Sequence, residues 1–131
     1  MVHAVIDTNV LVSALLASGG KPAKILALAL EGIFIPCFDD RIFQEYENVL
    51  HRPKFPFSGE EIADLFDRLH EVGLPVSPPP LNVSFADVSD RKFYETAKFC
   101  CAWLITGNCR HYPQEPWIVT PAQFLEQLDA I

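Results

Sequence analysis

The chain has 131 residues, half of them apolar, and its 10 Lys and Arg against 17 Asp and Glu give a net charge of −7. That length predicts a single domain, residues 1–131, burying about two-thirds of the surface its unfolded chain exposes, and the acid excess excludes a protein that coats DNA through a broad basic stripe. The apolar run at residues 10–17 is interrupted by Ser13, falls well short of the roughly 20 residues of a membrane span, and follows no basic segment, so neither membrane association nor a secretory leader is expected.

Residues 2–6 form a short β-prone run ending at Asp7-Thr8-Asn9, after which Val10, Leu11, Ala14 and Leu15 recur at helical spacing. Gly19-Gly20 breaks that helix, and Pro22 suits the first turn of the next, which runs to Gly32. Ile33-Phe34-Ile35 predicts a second strand. Asp39 or Asp40 is placed to cap a helix carrying Ile42, Phe43, Tyr46, Val49 and Leu50, ended by Arg52-Pro53. Ser58-x-x-Glu61 is a capping-box signature for an amphipathic helix ended by Gly73. Leu74-Pro75-Val76 suits a short edge strand and Pro78-Pro79-Pro80 a stiff extended connection. Ser89 or Asp90 opens a helix holding Phe93, Ala97 and Cys100/Cys101, read as core fillers. Trp103-Leu104-Ile105-Thr106 predicts a strand, residues 108–117 a loop, Ile118-Val119 a strand, and Thr120-Pro121-x-Gln123 the cap of a last helix. Strands alternating with helices predict an α/β fold, a three-layer α/β/α sandwich on a central, mostly parallel sheet.

Cys37, Cys100, Cys101 and Cys109 include no Cys-x-x-Cys, which matches neither a zinc-ligand spacing nor a secreted disulfide framework. Reduced thiols and a cytoplasmic location are expected.

Ligands of open parallel sheets bind beyond the carboxyl ends of the strands, where the pattern places Asp7 after the first strand and Thr106-Gly107-Asn108 at the end of the late one. Glu45, three residues after Ile42 and four before Val49, borders the buried stripe of its helix, whereas Glu47 points elsewhere. Asp90 lies at a helix N-terminus. Asp7 and Asp90 keep a second reading as helix caps. If the three carboxylates converge, their repulsion calls for a cation, and oxygen-only ligation suits Mg²⁺ or Mn²⁺.

Four segments, in this order, carry a resemblance that covers nearly the whole chain: Val5-Ile6-Asp7-Thr8-Asn9-Val10-Leu11, Glu45-Tyr46-Glu47-Asn48-Val49-Leu50, Asp87-x-x-Asp90-Arg91-Lys92-Phe93 and Leu104-Ile105-Thr106-Gly107-Asn108. The chain resembles PIN-domain proteins, in particular the toxin components of bacterial toxin-antitoxin pairs related to the VapC ribonucleases. The resemblance implies a PIN-like fold, a divalent-metal-dependent endoribonuclease hydrolysing RNA phosphodiesters with Mg²⁺ or Mn²⁺, a small antitoxin as partner, and a homodimer or higher oligomer. It matches Asp7, Glu45 and Asp90 to the acidic, metal-binding and catalytic triad, and Asn9 to a residue supporting the first acid. Thr106 and Asn108 complete the supporting set, with Asn108 standing where the family often has a further Asp. Asp87 is read either as an outer acid or as a solvated cap.

Arg91, Lys92 and Arg110 are candidates for RNA contact, with His111 beside them read as a solvated loop residue and Arg52 and Lys54 as further cations. Trp103 and Trp117 are read as packing residues. A second function stays open, a catalytically weak PIN-like protein- or RNA-binding module, motivated by Asn108 and the acidity. A phosphoacceptor receiver or a dehalogenase-like phosphatase fits less well, since Asp7 has no acidic neighbour and Asn9 stands where the phosphatase needs Asp. Residues 58–72 hold five acids against Arg68, so the substrate is expected to approach away from that helix.

Overall fold

The computed structural model describes residues 1–81, 85 and 88–130. Asp87 lies outside the described residues. Five strands, β1 (His3–Ile6), β2 (Ile35–Phe38), β3 (Leu74–Pro75), β4 (Trp103–Ile105) and β5 (Ile118–Val119), stand in the order β3-β2-β1-β4-β5, and every neighbouring pair is parallel. The helices between them are α1 (Thr8–Leu16), α2 (Lys21–Leu30), α3 (Asp40–Leu50), α4 (Gly59–Val72), α5 (Arg91–Cys100) and α6 (Pro121–Asp129). The expected α/β/α sandwich is present.

Ala4, Val5, Leu104 and Ile105 are fully buried, as strands covered on both faces must be. The crossovers through α1–α2 and α3–α4 move the chain one way along the sheet, and α5 carries it back to β4. With right-handed crossovers, α5 therefore covers the opposite face. It packs across β1, β2 and β4, while α2 packs on α1, α4 and α6. Phe34 and Phe124, both fully buried, meet edge to face at 4.9 Å and tie the end of α2 to α6. No single helix among the described residues is long and apolar enough to cross a membrane.

Three helix starts are capped by side chains as the sequence predicts. Asp39 Oδ1 accepts from Ile42 N–H at 2.9 Å, Ser58 Oγ accepts from Glu61 N–H at 3.1 Å, and Thr120 and Gln123 form a reciprocal capping box. Asp7 and Asp90 occupy the same position before α1 and α5, yet neither side chain makes a cap hydrogen bond. Their carboxylates are directed to something other than helix initiation.

Two expectations are corrected. The second strand begins at Ile35, not Ile33, and runs through Pro36. Ile35 N–H turns to β1, donating to Val2 O at 2.9 Å, so alternation turns the Pro36 nitrogen to the other edge, where β3 pairs only from Cys37 onward. The missing donor therefore interrupts no ladder. Cys101 is not a core residue: it ends α5 in the left-handed conformation, φ 52°, and is exposed.

Candidate active site

The strand order reverses between β1 and β4, so the crevice of an open sheet opens at their carboxyl ends. Asp7 is fixed there by its backbone. Its N–H donates to Ile105 O at 2.9 Å, extending the β1–β4 ladder by one residue before α1 begins. Its side chain is buried, and Oδ2 accepts from Thr106 Oγ1 at 2.7 Å and from the Tyr112 hydroxyl at 2.9 Å. Asn108 N–H donates in turn to Thr106 Oγ1 at 3.0 Å. Gly107 N–H donates to Asn9 Oδ1 at 3.1 Å, so Asn9 braces the loop after β4 rather than the acid itself.

Glu45 is aimed by its neighbour. The buried Tyr46 hydroxyl donates to Ile6 O, the carbonyl immediately before Asp7, which pins α3 against the end of β1. Glu45 then reaches the site, where Thr8 Oγ1 donates to Oε2 and Lys92 Nζ pairs with Oε1 at 2.8 Å. Asp90 sits at the start of α5 with His111 Nδ1 at 3.6 Å from Oδ2. The three acids thus come to one edge of the sheet.

Burial raises the Asp7 carboxyl above its ordinary pKa, and the Glu45 carboxylate adds to the rise, against hydrogen bonds from Thr106, Tyr112 and the Thr8 backbone that lower it. The Tyr112 phenol is pushed up by burial and then by Asp7, Asp90 and Glu45 together. All three negative charges act on one hydroxyl. Lys92, with its side chain only 12 % exposed, answers part of that charge.

The expectation that the three carboxylates stand ready within reach of one ion is not met. Among the described residues no group of three His, Cys, Asp or Glu side chains is arranged to hold a metal. Glu45 is turned to Lys92 and Thr8, and Asp90 faces His111. Pairing with the Lys92 cation offsets part of the repulsion that Glu45 would otherwise meet from the neighbouring carboxylates.

The other sequence candidates fall around this edge. Arg91 and Lys92 line a groove between α3 and the start of α5, and Lys92 also donates to Ser89 O. Arg110 and Asn108 are exposed, Arg110 lining a separate depression beside Tyr112. His111, read as merely solvated, remains 57 % exposed but faces Asp90. Sequence reasoning missed Thr8, Tyr46 and Tyr112. Tyr46 was visible only as a member of an apolar stripe, and Tyr112 sits in a Pro-containing loop where no periodicity signals orientation.

A family model of the PIN domain matches residues 3–110, a span that carries Asp7, Glu45 and Asp90. The chain belongs to the PIN-domain family. PIN domains are nuclease-type folds whose members generally act as hydrolases with divalent metal ions. No curated protein and no solved structure matches this chain.

The donor chemistry of this PIN domain fits such an ion: every candidate ligand is a hard oxygen, and burial, with a smaller push from Glu45, disfavours the charged form of Asp7 that a cation would restore. For the three acids to share one ion, Glu45 would turn from Lys92 toward Asp7.

Proposed function

We propose that this PIN domain is a divalent-metal-dependent endoribonuclease that hydrolyses RNA phosphodiesters, with Asp7, Glu45 and Asp90 holding Mg²⁺ or Mn²⁺. The observation that carries the reading is the setting of Asp7. It is buried at the switch point, freed from capping, held on one oxygen by Thr106 and Tyr112, and disfavoured as an anion by burial and, to a lesser extent, by Glu45. Asp7, Glu45 and Asp90 would hold the ion, which would supply polarisation of a phosphoryl oxygen and a more acidic water. Thr106 and Tyr112 orient Asp7; Thr8 orients Glu45; Asn9 holds the Gly107 peptide so that the loop after β4 keeps Thr106 in place. Lys92, which pairs with Glu45 where an ion would otherwise sit, is a candidate phosphate contact once displaced, with Arg91 and Arg110. Asn108 adds its backbone donor to Thr106 and no charge of its own.

The biological setting belongs to the same proposal: a cytoplasmic toxin of a toxin-antitoxin pair, restrained by a small antitoxin. The four free cysteines support a reducing compartment. Exposed Met1 and Ile33, beside a depression of about 570 Å³ between α2 and α6, support self-association as a homodimer or higher oligomer.

Labelled single-stranded RNA incubated with the protein tests the activity. Cleavage with Mn²⁺ or Mg²⁺, abolished by chelator and by Asp7→Asn, supports the enzyme. A second reading, a weakly active binding module, is favoured by the Lys92 ion pair that already occupies Glu45. RNA binding with no metal-dependent cleavage would select it.

A further inference from the structure

Glu45 faces two ways. Beside Thr8 it belongs to the acid cluster, and it also lines a groove of about 630 Å³ between α3 and the start of α5. Gln44, Asn48 and Arg52 line that groove at intervals of four residues, so they recur on one face about once per 5.4 Å turn of α3, with Arg52 just past its end. Among the described residues, four cations, Arg41, Arg52, Arg91 and Lys92, line it beside the acid Glu45, in a chain whose net charge is −7.

These cations are not equivalent. Lys92 pairs with Glu45. Arg41 is held by Asp39 at 2.7 Å and by the fully buried Glu95 at 2.8 Å, so its charge is matched within the fold. Arg52 is exposed at the far end, and Arg91 lies across the groove with its guanidinium 5.8 Å from the centre of the Phe85 ring. The exposed acids Glu60, Glu61, Asp64, Asp67 and Glu71 are on α4, which packs on α2 and β2 and lines no part of the groove. A strand approaching from the α3 side therefore meets the exposed Arg52 before it meets Glu45, with the α4 acids off its path.

We infer that the α3–α5 groove is the track along which the backbone of a single RNA strand reaches the acid site, with Arg52 contacting a phosphate at its outer end and Gln44 and Asn48 donating to the strand between Arg52 and Glu45. This rests on the nuclease reading above and adds the direction of approach and the residues that make it. The volume is of the class that holds one small ligand, about 300–1,000 Å³, enough for a short stretch of one strand and too small to enclose a duplex.

The test measures binding of a fluorescent single-stranded RNA in the Asp7→Asn background with Mg²⁺, where the strand is not cut, and cleavage kinetics in the otherwise wild-type chain. Arg52→Ala is expected to weaken binding about fivefold at 0.1 M salt and to reduce the slope of log K against log salt by about 0.7, the release expected for one single-strand phosphate contact. The double change Gln44→Ala/Asn48→Ala raises KM several-fold with kcat retained. Lys21→Ala, an equal loss of charge at the start of α2, leaves both unchanged. If the wild-type chain cuts RNA with metal while the Arg52 and Gln44/Asn48 variants bind and cut like it, the track is wrong and the nuclease reading stands. If the groove variants lose RNA binding but no metal supports cleavage, the track stands and the nuclease reading fails. If polyglutamate displaces RNA at matched charge, and does so less well from Arg52→Ala, the groove is a site for an acidic protein and the inference is overturned.

Discussion

Thr106 Oγ1 donates to Asp7 Oδ2 at 2.7 Å across 99 positions of sequence, joining the ends of the two strands that flank the switch point. Asn108 N–H closes on the same Thr106 oxygen, so the threonine hydroxyl is used as donor and acceptor at once and has no freedom to turn away. Tyr112 shares Oδ2. Removing either hydroxyl leaves the buried carboxylate less well held.

Tyr112→Phe and Thr106→Val are accordingly expected to weaken divalent-metal binding by about 10–100-fold each, as loss of a group that orients a ligand does, with the fold retained in circular dichroism. Calorimetric titration with Mn²⁺ checks this. Metal affinity unchanged in both variants would mean that Asp7 is not a ligand.

The raised pKa of Asp7 gives a pH signature. Between the ordinary carboxyl value of 3.8 and the raised folded value, the folded chain binds more protons than the unfolded one, so the Asp7 contribution to stability is greatest at low pH and is lost as pH rises through the folded pKa. Asp7→Asn keeps an acceptor for Thr106 and Tyr112 without the charge. At pH 7 in chelator, the variant should be more stable by about 0.5–2 kcal/mol, the gain common when a functional strain is relieved, and the difference should shrink below the folded pKa. Urea melts of both proteins across pH measure it.

Lys92 competes with a metal for Glu45. Lys92→Gln removes a cation from beside the site and frees Oε1, so Mn²⁺ affinity should rise several-fold while the metal-free protein loses stability, the half-buried Glu45 having lost its partner. Equal or weaker metal binding in the variant would show that Lys92 helps to assemble the ion site rather than substituting for the ion.

Glu95 is buried at the middle of α5, with Arg41 Nη1 at 2.8 Å and Leu81 N–H at 2.6 Å. Arg41→Met leaves that carboxylate without its counter-charge and should destabilise by about 2–3 kcal/mol, the low end for a broken buried pair because Arg41 itself is half exposed. Glu95→Gln, which retains an acceptor for Leu81, should cost less. Chemical denaturation of the two variants decides the order.

The sequence made the alternation, the parallel sheet and most helix ends legible because each is written locally: Ser58, Thr120 and Gln123 announce their helices through their own side-chain hydrogen bonds. The second strand was displaced by two residues, since its continuation through Pro36 depends on the neighbouring strand pairing only from Cys37, a tertiary fact. Of the site, spacing and resemblance brought out Asp7, Glu45 and Asp90, and the structure brings them to one edge. Tyr112 and Tyr46 were hidden, since their roles consist of single hydroxyl contacts to Asp7 and Ile6 that no periodicity encodes. The pairing of Glu45 with Lys92 was hidden for a related reason. Lys92 was a candidate for RNA contact, and its burial against Glu45 depends on how α5 meets α3.

The claim on which the rest depends is that Asp7, Glu45 and Asp90 share one divalent ion. Crystals grown with Mn²⁺, measured at the manganese absorption edge, test it most directly. The account predicts one anomalous peak bounded by oxygens of all three side chains at about 2.0–2.2 Å, with Glu45 released from Lys92. No peak at this edge of the sheet, with the Glu45–Lys92 and Asp90–His111 pairs intact at saturating Mn²⁺, would contradict it.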